Sequence, residues 1–258
     1  LIALVCEAYG VSDVETEGVE GLASGFQIER TMSARDALEG LMMAYGIDAA
    51  ESGGTLRFFM RGAEAVMSLS PDMLVETEAD APLVELTRAQ ETDLPARVRL
   101  AYLESALDYR IAAVEARQAG GTSRRDMLID LPAAVTQADA QKRAEVTLQE
   151  AWSSRETAGF ALPPSLSLLE PGDVISLERD GGPMLIRIEE VAEGDFTKIR
   201  GRSFVPAVHE AGDAPQRGES AEGAIVYGRP AAVLLDLPLA GETVSAHAPW
   251  LAATAKPW

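Results

Sequence analysis

The sequence predicts an α+β chain, mainly β, built of small β-barrel or sandwich domains with two amphipathic helices. Three observations lead there. Short runs of alternating apolar residues recur along the 258 residues, glycine- or proline-centred turns punctuate them, and two stretches alone combine a capping residue with the 3,4 spacing of a buried helix face.

Leu1 to Cys6 is apolar and runs straight into Glu7, which predicts a buried strand or helix. Asp13 to Gly25 is acidic and dotted with glycine, so it is expected as loop and irregular strand. Ser33 with Asp36 has capping-box spacing, with the shorter Asp in place of Glu. Ala34, Ala37, Leu38, Leu41, Met42 and Tyr45 then share one helix face, and Gly46 sits where a left-handed residue ends a helix. Ile47 to Glu51 and Thr55 to Arg61 read as strands joined by the turn Ser52-Gly53-Gly54.

Met67 to Ala81 reads as a polar bridge, followed by Pro82 to Leu86 and a break at Asp93-Leu94-Pro95. Val98, Leu100 and Tyr102 alternate with Arg97, Arg99 and Ala101, the period of a half-buried strand. Ile111 to Arg117 alternates less cleanly before Gly120-Gly121, and Met127 to Leu131 is an apolar strand expected to end at Pro132. Thr136 with Asp139 is a second capping pair, leading the stripe Ala140, Ala144, Leu148, Ala151 and Trp152 to a stop near Ser153. Ala158, Phe160 and Leu162 mark a strand closed by Pro163-Pro164. Val174 to Leu177, the turn Asp180-Gly181-Gly182, and Met184, Ile186, Ile188 and Val191 continue the β pattern. Residues 207 to 223 resemble a linker, and Ala231 to Leu237 is one more strand. The expected domains are 1-90 (helix plus hairpin), 91-206 (a β-rich core with one helix) and 207-258 (linker and start of a following segment).

Forty-one acidic against twenty-two basic residues give a formal charge of −19, which argues against a general grip on nucleic acid. Lysine occurs only as Lys142, Lys198 and Lys256, so the cationic groups are mostly arginine, suited to bidentate pairing at interfaces. A single Cys6 excludes an intramolecular disulfide, and the two histidines, His209 and His247, form no zinc pattern. The longest apolar runs fall far short of the roughly 20 residues that span a bilayer. The start lacks a basic n-region, so a soluble chain without a signal peptide is expected. A first residue Leu1 and a last Trp258 suggest a piece of something longer.

Candidate chemistry is sparse. Glu189-Glu190 offers two carboxylates, but adjacent strand residues face opposite ways and cannot converge on one bond. Asp173 is a turn residue whose carboxylate suits backbone N–H groups. His209 and His247 fall in or beside loops with no nucleophile elbow nearby, and Cys6 reads as a small core residue. The glycine pairs at Gly53, Gly120 and Gly181 lack the spacing and the lysine of a phosphate loop. Arg124-Arg125 is a two-charge patch of the kind usually found on a solvated loop, although at a subunit interface it could pair with acidic residues of a neighbour. Trp152, Trp250 and Trp258 are too scattered for a sugar platform, and Trp152 falls on its helix's core face. No catalytic, cofactor-binding or metal-binding residue is assigned.

Leu22 to Gly62, with its capped helix, its Ala37-Leu38-x-x-Leu41 core, and its strand, glycine turn and second strand, resembles the module of phage tail-hub and tip-attachment proteins. Asp93 to Pro206 extends the likeness to the β-rich core of that family, most specifically to the "megatron" baseplate protein of gene transfer agents and the host-specificity tail proteins of related phages. Ala207 to Trp258 departs from it. The resemblance implies a virion component at the distal tail end. It would be a trimeric hub joining the tail tube to the cell-penetrating or receptor-binding tip, with other tail proteins as partners, possible host-envelope contact, and no cofactor. Some members carry a glycoside-hydrolase-like domain upstream, whose activity is not transferred to this chain. A hub lets DNA pass without specific binding, and an acidic lumen keeps the duplex from sticking, so Glu15, Glu17 and Glu20 are expected to line a channel. Two other readings compete: a glycan-acting enzyme module used in entry, and a ring-forming module of a secretion machine, since Ser33 to Met60 also resembles the small domains of secretins.

Overall fold

The computed structural model describes residues 1–62, 64–78, 81–166, 168–179 and 181–209, together with strands at 231–235 and 250–254. Helix α1 (Ile2–Ala8) buries Ile2, Val5 and Cys6. Two short strands follow, β1 (Val14–Glu15) and β2 (Gly25–Phe26). Helix α2 (Ala34–Tyr45) begins with a complete capping box between Ser33 and Asp36 and ends at Gly46, whose φ is 65°. Then come β3 (Ile47–Ser52) and β4 (Thr55–Met60), a hairpin turning at Gly53-Gly54 as expected. Strand β1 adds to β4 in parallel, so this small sheet has the order β1-β4-β3.

Strand β5 (Ala65–Leu69) lies where the sequence reads as a polar bridge, which is therefore corrected at its start. Leu69 is fully buried because β5 pairs in parallel with a strand more than a hundred residues later, a partner that local patterning cannot reveal. Strand β6 (Val84–Arg88) precedes β7 (Pro95–Glu104), β8 (Arg110–Arg117) and β9 (Arg125–Val135). The last of these does not stop at Pro132. A register shift against Ala101–Leu103 takes up the proline, and its carbonyl accepts a hydrogen bond from the Gln27 amide at 2.9 Å. Strands β2, β9, β7 and β8 form a four-stranded sheet in that order.

Helix α3 (Gln137–Ser153) starts at Thr136, whose hydroxyl accepts from the Asp139 amide. After it come β10 (Glu156–Leu162), β11 (Val174–Leu177), β12 (Met184–Ala192) and β13 (Thr197–Ser203). These join the two earlier strands in a six-stranded sheet of order β5-β11-β12-β13-β10-β6. A closed barrel was one expectation, and it is corrected: β5 and β6 are the two open edges. The segment between them runs instead past the end of β10, where the Val75 amide donates to the Ala161 carbonyl at 2.9 Å. The expected linker at 207 to 223 starts with a packed 3₁₀ turn (Pro206–Val208), and from 210 onward it lies outside the described residues. A second compact unit, Gln216–Trp258, contributes the antiparallel pair β14 (Ala231–Leu235) and β15 (Trp250–Thr254).

Two cores result. The first gathers α1, α2 and α3 over one face of the four-stranded sheet, around Leu38, Leu41, Val98, Leu100, Tyr102 and Ile129. The second fills one side of the six-stranded sheet with Leu69, Phe160, Leu162, Ile175, Ile186 and Ile188. Each leucine or isoleucine so buried contributes about 2 kcal/mol of transfer free energy. Helix α2 reaches β9 through Gly40, where a methyl group would stand 2.0 Å from the Asp130 carbonyl oxygen. The two longer helices meet where the Arg143 guanidinium lies 3.3 Å from the centre of the Tyr45 ring. Burial there pushes the Tyr45 hydroxyl pKa up and lowers that of Arg143.

Gly172 and Gly53 separate backbone strain from crowding. Both have positive φ, 100° and 59°, but a methyl group on Gly172 would come within 2.2 Å of the Phe59 ring, whereas on Gly53 it would meet nothing. Urea unfolding should show Gly53→Ala costing about 1 kcal/mol and Gly172→Ala about 3 kcal/mol or more. Phe59→Leu should recover part of the second loss. Equal costs for the two alanines would contradict this packing.

Candidate functional site

The densest polar cluster lies where the two cores meet, and four elements build it. Strand β3 supplies Asp48, the residue just after β4 is Arg61, α3 supplies Glu150 and β12 supplies Arg187. Arg61 donates to Asp48 through Nε and Nη2 at 2.9 and 2.7 Å, and through Nη1 to both Glu150 oxygens at 3.3 and 3.1 Å. Arg187 Nη1 reaches Glu150 at 3.2 Å and Asp48 at 3.6 Å. The side chains of Arg187 and Glu150 are only 11% and 14% exposed, so the charges sit well inside the protein and are held by one another. Hydrogen bonds to Asp48 and the Glu150 charge outweigh burial and raise the Arg61 pKa.

His209 closes the cluster. Its ring stacks on Phe204 at 5.5 Å between centroids, and its side chain packs over the bare backbone of Gly46 and Gly62. Burial lowers its pKa; Glu150 and Asp48 pull the other way, while Arg187 and Arg61 reinforce the lowering. Beside these contacts, Phe59 covers Gly172, and Arg57 spans Glu15 at 3.1 Å and Glu170 at 3.0 Å. The arrangement is a joint between four elements in which each carboxylate pairs with an arginine. A second buried carboxylate, Glu104, is held by the Tyr102 hydroxyl at 2.8 Å and the Ala106 amide at 3.2 Å. Burial and that carboxylate push the Tyr102 pKa up.

The residues singled out in the sequence are dispersed. Glu189 and Glu190 are both exposed at a register shift in β12, and Glu189 pairs with Arg202 at 2.9 Å. The Asp173 carboxylate accepts from the Glu170 amide at 2.9 Å, the turn role expected of it. Cys6 is buried in the first core, and burial pushes its thiol pKa up. Trp152 packs on the same core and donates Nε1–H to the Pro95 carbonyl at 2.9 Å. Arg125 pairs with Asp93 at 2.9 Å, both exposed. Gly53, Gly120 and Gly181 all have positive φ. Trp250 opens β15, while His247 and Trp258 lie outside the described residues. Sequence reasoning left His209 in a loop and did not single out Asp48, Arg61, Glu150 or Arg187. Arg187 alternates with Ile186 and Ile188 and so reads in the sequence as an outward charge, although its own side of β12 is covered and it is only 9% exposed. Among the described residues no group of three or more His, Cys, Asp or Glu side chains is placed to hold a metal, and no helix is long and apolar enough to cross a membrane.

A family profile described as putative phage tail protein matches residues 33–191. A chain from the virion of a native gene transfer agent particle superposes with a TM-score of 0.74 at 34% identity, covering 83% of this chain and 48% of that one. The present chain thus spans about half the length of that relative. The tail protein from Neisseria meningitidis MC58 aligns with a TM-score of 0.54 at 14% identity, over 83% of this chain and 68% of that one. The prophage MuSo2 43 kDa tail protein from Shewanella oneidensis gives 0.52 at 14% identity, over 80% and 65%. These last two share the fold. No match was found among curated proteins.

Two outcomes are expected of the joint. Glu150→Gln leaves both arginines under-compensated and should cost about 3 kcal/mol in urea unfolding, whereas Glu189→Gln at an exposed pair should cost under about 1 kcal/mol. Below the ordinary histidine pKa of 6.5 the unfolded chain binds a proton at His209 that the folded chain resists. Stability should therefore fall as pH drops through that value and level off below the folded-state pKa. The slope should be shallower in His209→Gln; an unchanged slope would show that this side chain is not the source.

Proposed function

This chain belongs to the phage tail protein family, and from that premise we propose that it is a structural segment of a tail-tip hub, without catalysis of its own. The hub would be a trimer at the distal end of a virion-like particle. It would connect the tail tube to the cell-penetrating or receptor-binding tip and let DNA pass without gripping it. The observation that carries this reading is the 34% identity over 83% of the chain to a protein of the gene transfer agent virion. The extent of that match speaks for a shared place in the particle as well as a shared fold.

The physical features agree with such a role. A hub transmits force between tube and tip, and the arginine–carboxylate joint couples the helix-and-hairpin part to the six-stranded sheet at several points. The open strand edges can be covered by neighbouring subunits or by other tail proteins. A charge of −19 suits a conduit for DNA, since like charge prevents adhesion. Glu17 and Glu20 are exposed and available to line it, while Glu15 is engaged with Arg57. Contact with the host envelope would fall to the tip that the hub carries.

Mass photometry of the parent protein should return three times the subunit mass, and a clean monomer at high concentration would overturn the trimeric hub. Reversing Glu17 and Glu20 together to lysine should slow DNA delivery by about tenfold while particle yield and morphology stay normal. Normal delivery from normal particles would remove these two residues from the conduit.

A further inference from the structure

The four-stranded sheet packs its helices against one face only. Alternate residues on β7, β8 and β9 turn the other way, and that face is graded. At one end Arg97 is closed by Asp126 and Glu115. Toward the hairpin tip the cross-strand pairs become Ala101–Ala113 and Leu103–Ile111, with Leu128 on the neighbouring strand. Ile111 is 75% exposed and Leu128 72%, and with Leu103 between them they form one apolar patch on this face. At the tip, Asp108 and Tyr109 hold φ of 51° and 58°, and the turn presents Leu107 and Tyr109 to solvent. Asp108 and Tyr109 are the two central residues of a tight hairpin turn, closed by the Arg110 amide donating to the Leu107 carbonyl at 3.1 Å, and positive φ at both matches the twist of the flanking strands.

Beside this face, α2 and the chain before it wall a groove of about 670 Å³. Ile28, Met32, Met43, Leu103, Ile111 and Leu128 contribute its apolar lining. Its polar lining includes Glu29, Asp36, Glu39 and Asp130 against one Arg30. Asp36 is occupied in the helix cap, but Glu29, Glu39 and Asp130 form no ion pair among the described residues. Sheet and helix have thus made an apolar floor with an uncompensated acidic rim.

We propose that this groove seats a segment of a neighbouring protein in which large apolar side chains are flanked by lysine or arginine. The floor accepts the apolar anchors and the rim accepts the cations, so both parts of the lining find complements in one ligand. A second copy of this chain fits less well, because at −19 it brings like charge to an acidic rim. The inference goes beyond the hub reading and does not rest on it: a monomeric chain that binds such a segment would sink the trimer and keep the groove.

Three fluorescein-labelled synthetic peptides test it by anisotropy against the whole chain: one with Leu and Phe anchors flanked by Lys and Arg, one with the same anchors flanked by Glu, and one with the basic flanks but Ser for the anchors. The first should bind about tenfold tighter than either control and weaken as salt rises from about 50 to about 300 mM. Leu128→Asp and Ile111→Asp sit at exposed positions, so circular dichroism should be unchanged while binding drops about tenfold. The pair Glu39→Gln and Asp130→Asn should flatten the salt dependence without abolishing binding. Equal affinity for the Glu-flanked or Ser-substituted peptide would overturn the proposal, as would no binding. Self-association in sedimentation that Ile111→Asp abolishes would assign the groove to a second copy instead.

Discussion

Everything in the first compact unit depends on one constraint, the placement of Arg61 and Arg187 against Asp48 and Glu150. Removing such charges from water is costly, and their mutual attraction offsets that cost only when both arginines and both carboxylates are in register. The cluster therefore acts less as a source of stability than as a gauge. Strand β3, the residue just after β4, helix α3 and strand β12 must arrive together, or a buried charge is left unanswered. The tight contacts around it follow from that register: Phe59 fits over Gly172 and His209 over Gly46 and Gly62 only when the hairpin and the six-stranded sheet are held in this position.

A joint of this kind suits a protein that works by being part of an assembly. Apolar contact alone tolerates sliding, because dispersion and burial are non-directional. Forked arginine–carboxylate bonds do not tolerate it, since a small displacement breaks several at once. In the proposed tail role, resistance to sliding matters more than the net free energy of the pair. The same division of labour explains the two faces of the four-stranded sheet. One face is used up in holding the helices, and the other keeps exposed aliphatic groups that fold stability alone does not require.

The parts legible in the sequence were those with local causes. Ser33 with Asp36, Thr136 with Asp139, and Gly46 mark helix ends through bonds made within four residues, and each was placed correctly. Strand β7 was legible because Val98, Leu100 and Tyr102 alternate with Arg97, Arg99 and Ala101, and β10 because Ala158, Phe160 and Leu162 alternate with Thr157, Gly159 and Ala161 ahead of Pro163-Pro164. The family likeness drawn from Leu22 to Gly62 and Asp93 to Pro206 agrees with the profile matching residues 33–191. Strand β13 was overlooked although it alternates, Thr197, Ile199 and Gly201 buried against Lys198, Arg200 and Arg202; its charges disguised a period that was present. Strand β5 was not legible at all, because its ladder partner β11 is distant in sequence.

What the sequence by itself determined is the set of local decisions: where helices start and stop, which residues of a strand turn inward, the mainly β class, and the family. What only the tertiary structure decided is which charged residues are surface and which are structural. Asp48, Arg61, Glu150 and Arg187 look in the sequence like ordinary solvated groups, since a charge shows its partner only after the backbone has brought distant segments together. The open sheet and the continuation of β9 through Pro132 belong to the same class, because a closing strand pair or a proline-absorbing bulge is a property of two strands in register and not of either one alone.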